Sequence, residues 1–86
     1  MLGIATPLAV AEITKDQCRA ARGILRLSQE KLARAAGVGV STVTDFELGS
    51  REVSPRLVHL IRIALEKEGI VFSDNGSVKI LPGWQR

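Results

Sequence analysis

Few side chains in this chain of 86 residues have the types and spacing needed for catalysis or metal binding. The chain has one cysteine, Cys18, and one histidine, His59. A single cysteine excludes an internal disulfide and a thiolate zinc cluster, and a lone histidine beside it is too few for a Cys/His metal site. The sequence contains no nucleophile–base pair and no glycine-rich phosphate loop. It therefore predicts no enzyme, no cofactor and no metal site.

The charge balance permits a nucleic-acid-binding protein. Lysine and arginine number 12 against 9 acidic residues, which gives a formal net charge of +3. This excess is compatible with nucleic-acid binding. Aromatic residues make up only 3% of the chain. We therefore expect an aliphatic core, in which Cys18 is a small buried residue, and no aromatic platform for stacking single-stranded bases.

Two short helices separated by a glycine-containing turn are predicted in the middle of the chain. Ser28 is a good N-cap for a helix over 29–36, and Gly37 suits the left-handed residue that ends such a helix. Gly39 can cap a second helix over Val40–Leu48. This arrangement is the layout of a helix-turn-helix unit.

Further helices are predicted on both sides of this unit. Thr14 and Gln17 fit a capping box that begins a helix running to about Leu25. Ser54 followed by Pro55 begins a longer helix over residues 55–68. The fold class is therefore mainly α, with a four-helix domain over residues 14–69. The first helix carries two stripes of residues at helical spacing. The apolar stripe is Cys18, Ala21 and Leu25, and the basic stripe is Arg19, Arg22 and Arg26.

A C-terminal β-hairpin is predicted over residues 70–81, because two short β-branched runs flank the turn signal Asn75-Gly76. An isolated hairpin is marginal in water, so it needs either the same hairpin of a second copy or docking on the helices. We expect it to be the dimerisation element. The alternating apolar residues of the expected dimer interface are Ile70, Phe72, Val78 and Ile80.

The two ends of the chain are set apart from this domain. Residues 1–13 are apolar with a proline in the middle, and we interpret them as an N-terminal arm. Residues 82–86 form a tail in which Trp84 is a candidate anchor. No apolar stretch is long enough to span a bilayer, and the start lacks the basic residues of a secretory signal. We expect a cytoplasmic protein with no membrane partner.

The central unit resembles the lambda repressor and Cro (XRE) family of helix-turn-helix domains, over about residues 15–68. The resemblance lies in the family pattern of Gln-x-x-Leu-Ala, a glycine turn, an apolar position, Glu-x-Gly and a following proline. The chain departs from it at Gly39, where the family usually has a serine or threonine cap. The matching residues are Gln29, Leu32, Ala33, Gly37, Val38, Val43, Glu47, Gly49 and Pro55.

This resemblance implies a four-helix lambda-repressor-like helix-turn-helix domain that inserts the helix 40–48 into the major groove of DNA. It also implies that Arg22 pairs with Glu47 and holds that helix in place. Because no arginine, glutamine or asparagine is among the base-reading positions, we expect modest discrimination from each half-site. The implied base-reading residues are Val40, Ser41, Thr42, Thr44 and Asp45. The expected phosphate contacts are Ser28, Gln29, Arg51 and Arg56.

The first functional hypothesis is a sequence-specific, double-stranded-DNA-binding transcriptional regulator. It would be a repressor that binds as a homodimer to a pseudo-palindrome with half-sites about 34 Å apart. The alternative is a protein-interaction module or anti-activator on the same scaffold, whose partner is another regulatory protein. No small-molecule ligand is expected, because no ligand-binding domain follows the helices.

Overall fold

The computed structural model describes residues 12–81, which form four helices followed by a two-stranded antiparallel sheet. This mainly helical arrangement with a C-terminal hairpin confirms the predicted fold class. The elements are α1 (Lys15–Leu25), α2 (Gln29–Ala36), α3 (Val40–Leu48), α4 (Pro55–Glu66), β1 (Ile70–Phe72) and β2 (Val78–Ile80).

Three of the four helices begin with a side-chain cap. The Thr14 hydroxyl accepts from the Gln17 amide at 3.0 Å, and the Gln17 side chain accepts from the Thr14 amide at 2.9 Å, which completes the predicted capping box. The hydroxyls of Ser28 and Ser54 accept from the amides of Lys31 and Leu57 and so cap α2 and α4. Gly39 makes no side-chain cap for α3. These local hydrogen bonds satisfy amides that the helix itself leaves unpaired.

The predicted basic stripe on α1 is wrong at Arg26. This residue lies beyond the helix in the left-handed region, with φ 55, and its amide bonds to the carbonyls of Arg22 and Gly23. A left-handed residue turns the chain away from the helix axis, so Arg26 does not continue the row of Arg19 and Arg22. Because glycine usually occupies such a position, an arginine there is not a recognisable signal for the end of a helix.

The core is aliphatic, as predicted, and it extends past the expected domain boundary. Leu32, Val43, Ile61 and Leu65 are fully buried together with Cys18. Ile13 is also buried in this cluster, which corrects the expectation that residues 1–13 form a separate arm. Burial of an isoleucine side chain is favourable enough to fix this residue to the domain. Val53 and Val58, which the sequence patterns did not single out, complete the cluster.

The hairpin packs against helices of its own chain. Ile70 pairs with Ile80 and Phe72 with Val78 across the two strands, and Gly76 occupies the left-handed position of the turn with φ 91. β1 contacts α4, and β2 contacts α1. The Gln17 side chain also donates to the Ser73 carbonyl at 3.1 Å, which joins α1 to the turn.

Most residues of the expected dimer interface therefore pack against helices of the same chain. Ile70 is only 2% exposed, and Phe72 and Val78 are half-buried against the core, because the helices provide the apolar surface that the hairpin face needs. Of the four residues, only Ile80 is exposed, with 38% of its surface accessible. The proposed anchor Trp84, most of the expected arm and the tail 82–86 lie outside the described residues.

Candidate nucleic-acid interface

The two faces of α3 differ sharply in burial. Thr42, Val43 and Glu47 are buried against the domain. The opposite face is a row of residues at helical spacing, with Val40 at 44% and Leu48 at 68% exposure at its ends. This outer face consists of Val40, Ser41, Thr44, Asp45 and Leu48.

Two residues differ from the predicted base-reading set. Thr42 is only 9% exposed, because it shares the inward side of the helix with Val43 and Glu47, so the expectation that it reads bases is wrong. Leu48 was missed, although it follows Thr44 by four residues and Val40 by eight and must share their face. Leu48 is the last residue of α3, and the sequence prediction gave it neither a core nor a surface role.

The inward side of α3 is held by the ion pair between Arg22 and Glu47. Arg22 Nε lies 2.7 Å from Glu47 Oε2, and Arg22 Nη2 lies 2.7 Å from Glu47 Oε1, which is a bidentate arrangement. Arg22 Nη1 also donates to the Leu27 carbonyl at 3.0 Å. The pair therefore joins α1, the turn that follows it and α3.

Two further donors complete the surroundings of this carboxylate. The Cys18 thiol donates to Glu47 Oε2 at 3.1 Å, and Gln29 Nε2 donates to Glu47 Oε1 at 3.0 Å. Each carboxylate oxygen thus accepts two hydrogen bonds. Burial alone would raise the pKa of Glu47, but the hydrogen bonds from Arg22, Gln29 and Cys18 outweigh it and hold that pKa below its usual value. Glu47 is therefore ionised at neutral pH.

Cys18 is more than the simple apolar core residue that its stripe suggested. It has no exposed surface, and its thiol is a hydrogen-bond donor to a buried carboxylate. Burial, followed by the hydrogen bond and the charge of Glu47, raises the pKa of this thiol well above its usual range. The sulfur is consequently a protonated structural group.

Gln29 occupies the predicted position at the start of α2, but its amide bonds within the protein. While Nε2 donates to Glu47, Oε1 accepts from the Thr44 hydroxyl at 3.0 Å. Gln29 therefore connects the buried ion pair to the outer face of α3. The expectation of a simple phosphate contact overlooked these partners, which lie 15 and 18 residues away in sequence.

Asp45 and Arg51, predicted to contact a base and a phosphate respectively, contact each other. Arg51 Nε lies 2.7 Å from Asp45 Oδ2, and the Ser50 hydroxyl donates to Asp45 Oδ1 at 3.2 Å. This pair is partly exposed, so its contribution to stability is small. Its larger effect is local, because the arginine neutralises the one carboxylate on the outer face.

The other two expected phosphate contacts are both exposed at the starts of helices. Ser28 caps α2, and Arg56 lies in the first turn of α4. A cation in the first turn opposes the helix dipole, as does Glu66 at the other end of α4. The charge of Arg56 is therefore unfavourable with respect to the dipole of α4, and its predicted contact with a phosphate stays a prediction.

The surface formed by α2, α3 and the start of α4 exposes hydroxyl, apolar and cationic side chains. In residues 12–81 no group of His, Cys, Asp and Glu is arranged to hold a metal ion. Across the same residues, no helix combines the length and apolar character needed to cross a membrane.

Comparison with known proteins agrees with this geometry. The family model described as Helix-turn-helix matches residues 19–69, which is more than half of the chain and includes α2, α3 and α4 in full. No curated protein has a significant match to the sequence. The chain thus belongs to the lambda-repressor- and Cro-like (XRE) helix-turn-helix family of DNA-binding regulators.

Proposed function

We propose that this protein is a transcriptional repressor that binds a specific double-stranded DNA sequence as a homodimer. The observation that carries the proposal is the contrast between the two sides of α3. Its inward side is fixed by the bidentate pair of Arg22 and Glu47, while its outer side exposes a continuous row of side chains. A helix held in this way fits the major groove and presents its outer residues to base edges.

Contacts to the DNA backbone would come from the starts of two other helices. Ser28 begins α2 with an exposed hydroxyl, and Arg56 provides a cation in the first turn of α4. Such contacts position a protein on the duplex but do not read its sequence. Base reading is assigned to Val40, Ser41 and Thr44.

A homodimer would compensate for the limited discrimination of one domain. The outer face of α3 has no arginine, glutamine or asparagine, which are the side chains that make the strongest bidentate base contacts. Two copies related by a twofold axis would read two half-sites about 34 Å apart, and their discrimination would add. The operator would accordingly be a pseudo-palindrome.

The direct test is selection from a random duplex pool with the full chain at near-physiological salt. We expect recovery of an inverted repeat whose half-sites are one helical turn apart. Recovery of a single half-site would reject the homodimer but keep sequence-specific binding. A pool that is not enriched would reject the proposal.

A matched pair of variants tests the placement on DNA. Arg56→Ala and Lys67→Ala each remove one cation, at opposite ends of α4. The affinity of the parent should fall with salt because counterions are released from DNA. We expect Arg56→Ala to reduce the slope of log K against log salt by about 1 and Lys67→Ala to leave it unchanged. Equal slopes for both variants would contradict the placement.

One observation favours a second candidate, a protein-interaction module on the same scaffold. The outer face of α3 has apolar residues at both ends, and the charges of Asp45 and Arg51 cancel. Such a face also suits a protein partner. Chromatography on immobilised DNA separates the two functions, since salt-sensitive retention supports the repressor and passage without retention supports the interaction module.

A further inference from the structure

The outer face of α3 keeps few hydrogen-bonding groups for bases. Both carboxylate oxygens of Asp45 already accept hydrogen bonds. The Thr44 hydroxyl donates a hydrogen bond to Gln29 Oε1. Ser41 is the exposed hydroxyl that has no such contact in the described residues. Ser41 is therefore the one hydroxyl of this face that can still donate to a base, while Thr44 and Asp45 keep only acceptor capacity.

Both ends of this face are apolar and exposed. Val40 is 44% exposed and Leu48 is 68% exposed, which makes Leu48 the most exposed large hydrophobic residue in the described part of the chain. They are eight residues apart on the same face, a separation of about 12 Å along the helix. This distance corresponds to about three to four base-pair steps of B-DNA.

The edge of only one base offers an apolar partner in the major groove, the C5-methyl group of thymine. Contact between this methyl group and an aliphatic side chain removes apolar surface of both from water. We infer that α3 recognises its half-site by thymine methyl groups, with Val40 and Leu48 each packed against one thymine. The two thymines are about three to four base pairs apart, on either strand. This inference rests on the proposed function and specifies the DNA that the site accepts.

Deoxyuridine provides the test, because it lacks the thymine methyl group and keeps every hydrogen-bonding atom. Each thymine of the selected operator is replaced in turn by deoxyuridine, and the dissociation constant of the full chain is measured by fluorescence anisotropy. At the two predicted positions of a half-site we expect about a fourfold loss of affinity. This factor corresponds to the free energy of burying one apolar carbon. Other thymines should tolerate the replacement.

Alanine variants then assign each methyl group to a side chain. Val40→Ala should abolish the effect of deoxyuridine at one position and Leu48→Ala at the other. Ile24→Ala is the matched control, since Ile24 is a similarly exposed aliphatic residue on α1. It should leave the pattern unchanged. Thermal melts of the three variants show whether each remains folded, as expected for exposed positions.

The outcomes separate this inference from the function on which it rests. If the pool is not enriched, both fail, and the apolar face is assigned to a protein partner. If a site is selected but no deoxyuridine weakens binding, DNA recognition stands and the thymine inference is wrong. It is also wrong if the deoxyuridine effect persists in both Val40→Ala and Leu48→Ala.

Discussion

At the residue scale, the carboxylate of Glu47 organises the recognition surface. It accepts hydrogen bonds from Arg22, Cys18 and Gln29, and Gln29 in turn accepts from Thr44 on the outer face. A buried charge is tolerated only when its hydrogen bonds are satisfied, and both oxygens here have two donors. The position of the outer face therefore depends on a group that is buried beneath it.

Arg22→Ala should prevent DNA binding through loss of folding. Removal of one partner leaves the Glu47 carboxylate buried without its counterion, which costs about 3–5 kcal/mol of unfolding free energy. Arg19→Ala is the matched control, because Arg19 makes an exposed 3.5 Å pair with Asp16 on the same helix. Denaturant titration should show almost no change for this control. Equal stability of the Arg22→Ala variant and the parent would contradict the structural role.

The pH dependence of stability should report the same carboxylate. Because the pKa of Glu47 is lower in the folded than in the unfolded protein, its contribution is fully present above the unfolded pKa of about 4.3. It is lost as the pH falls through the folded pKa. Urea titrations should therefore show the stability of the parent and of Glu47→Gln converging below about pH 4. A constant difference down to the lowest pH would contradict this.

The role of Arg51 can be separated from a phosphate contact by a double variant. Arg51→Ala leaves the Asp45 carboxylate unneutralised on the DNA-facing side, at a cost on the order of 1–2 kcal/mol, so affinity for DNA should fall about tenfold. Adding Asp45→Asn should restore most of that loss. If Arg51 acts through a phosphate instead, Arg51→Ala will weaken binding by the same factor in the Asp45→Asn background as in the parent.

At the element scale, left-handed glycines and side-chain caps set the helix ends. Gly37 has φ 75 and ends α2, and this fixes the turn that leads into α3. Gly23, by contrast, lies within α1 and has no neighbouring atom within 4 Å of an added Cβ. The same residue type therefore has opposite energetic consequences at the two sites.

Replacement of each glycine by alanine should change stability in opposite directions. Gly37→Ala forces a Cβ into the left-handed region and should lower the free energy of unfolding by about 1 kcal/mol. Gly23→Ala should raise it by about 0.5–1 kcal/mol, since alanine favours the helix and meets open space. Thermal melts of the two variants check both signs. A stabilised Gly37→Ala variant would contradict the assigned backbone conformation.

At the scale of the whole molecule, the hairpin completes the core of a single chain. Its inner residue Ile70 is buried beside α4, while Ile80 on the paired strand is partly exposed. An 86-residue domain buries limited apolar surface, so the loss of one such contact is a large fraction of its stability. A dimer of this protein has to use surface that remains exposed.

Ile70→Ala should lower the free energy of unfolding by about 2–4 kcal/mol, at every protein concentration. Ile80→Ala makes the same chemical change at an exposed position and should cost about 1 kcal/mol or less. Melts over a hundredfold range of concentration check both values. If the effect of Ile70→Ala diminished as concentration rose, this residue would belong to an intersubunit contact.

The features that could be predicted from sequence alone are local ones. The caps at Thr14, Ser28 and Ser54, and the glycine turn at Gly37, depend on groups within four residues of each other. Short-range hydrogen bonds and the allowed values of φ decide such features whatever the rest of the chain does. The spacing of apolar residues likewise predicted the helices and the hairpin.

The partners of polar side chains were decided only by the tertiary structure. Packing of α1, α2 and α3 brings Cys18 and Gln29 to Glu47, across 29 and 18 residues of chain. The pairing of Arg22 with Glu47 was implied by family resemblance and not by spacing. The orientation of α3 against the other helices places Thr42 on its inward side, and the packing of the hairpin on the helices buries Ile70. Each outcome depends on which surfaces meet in space, and a one-dimensional pattern does not encode that information.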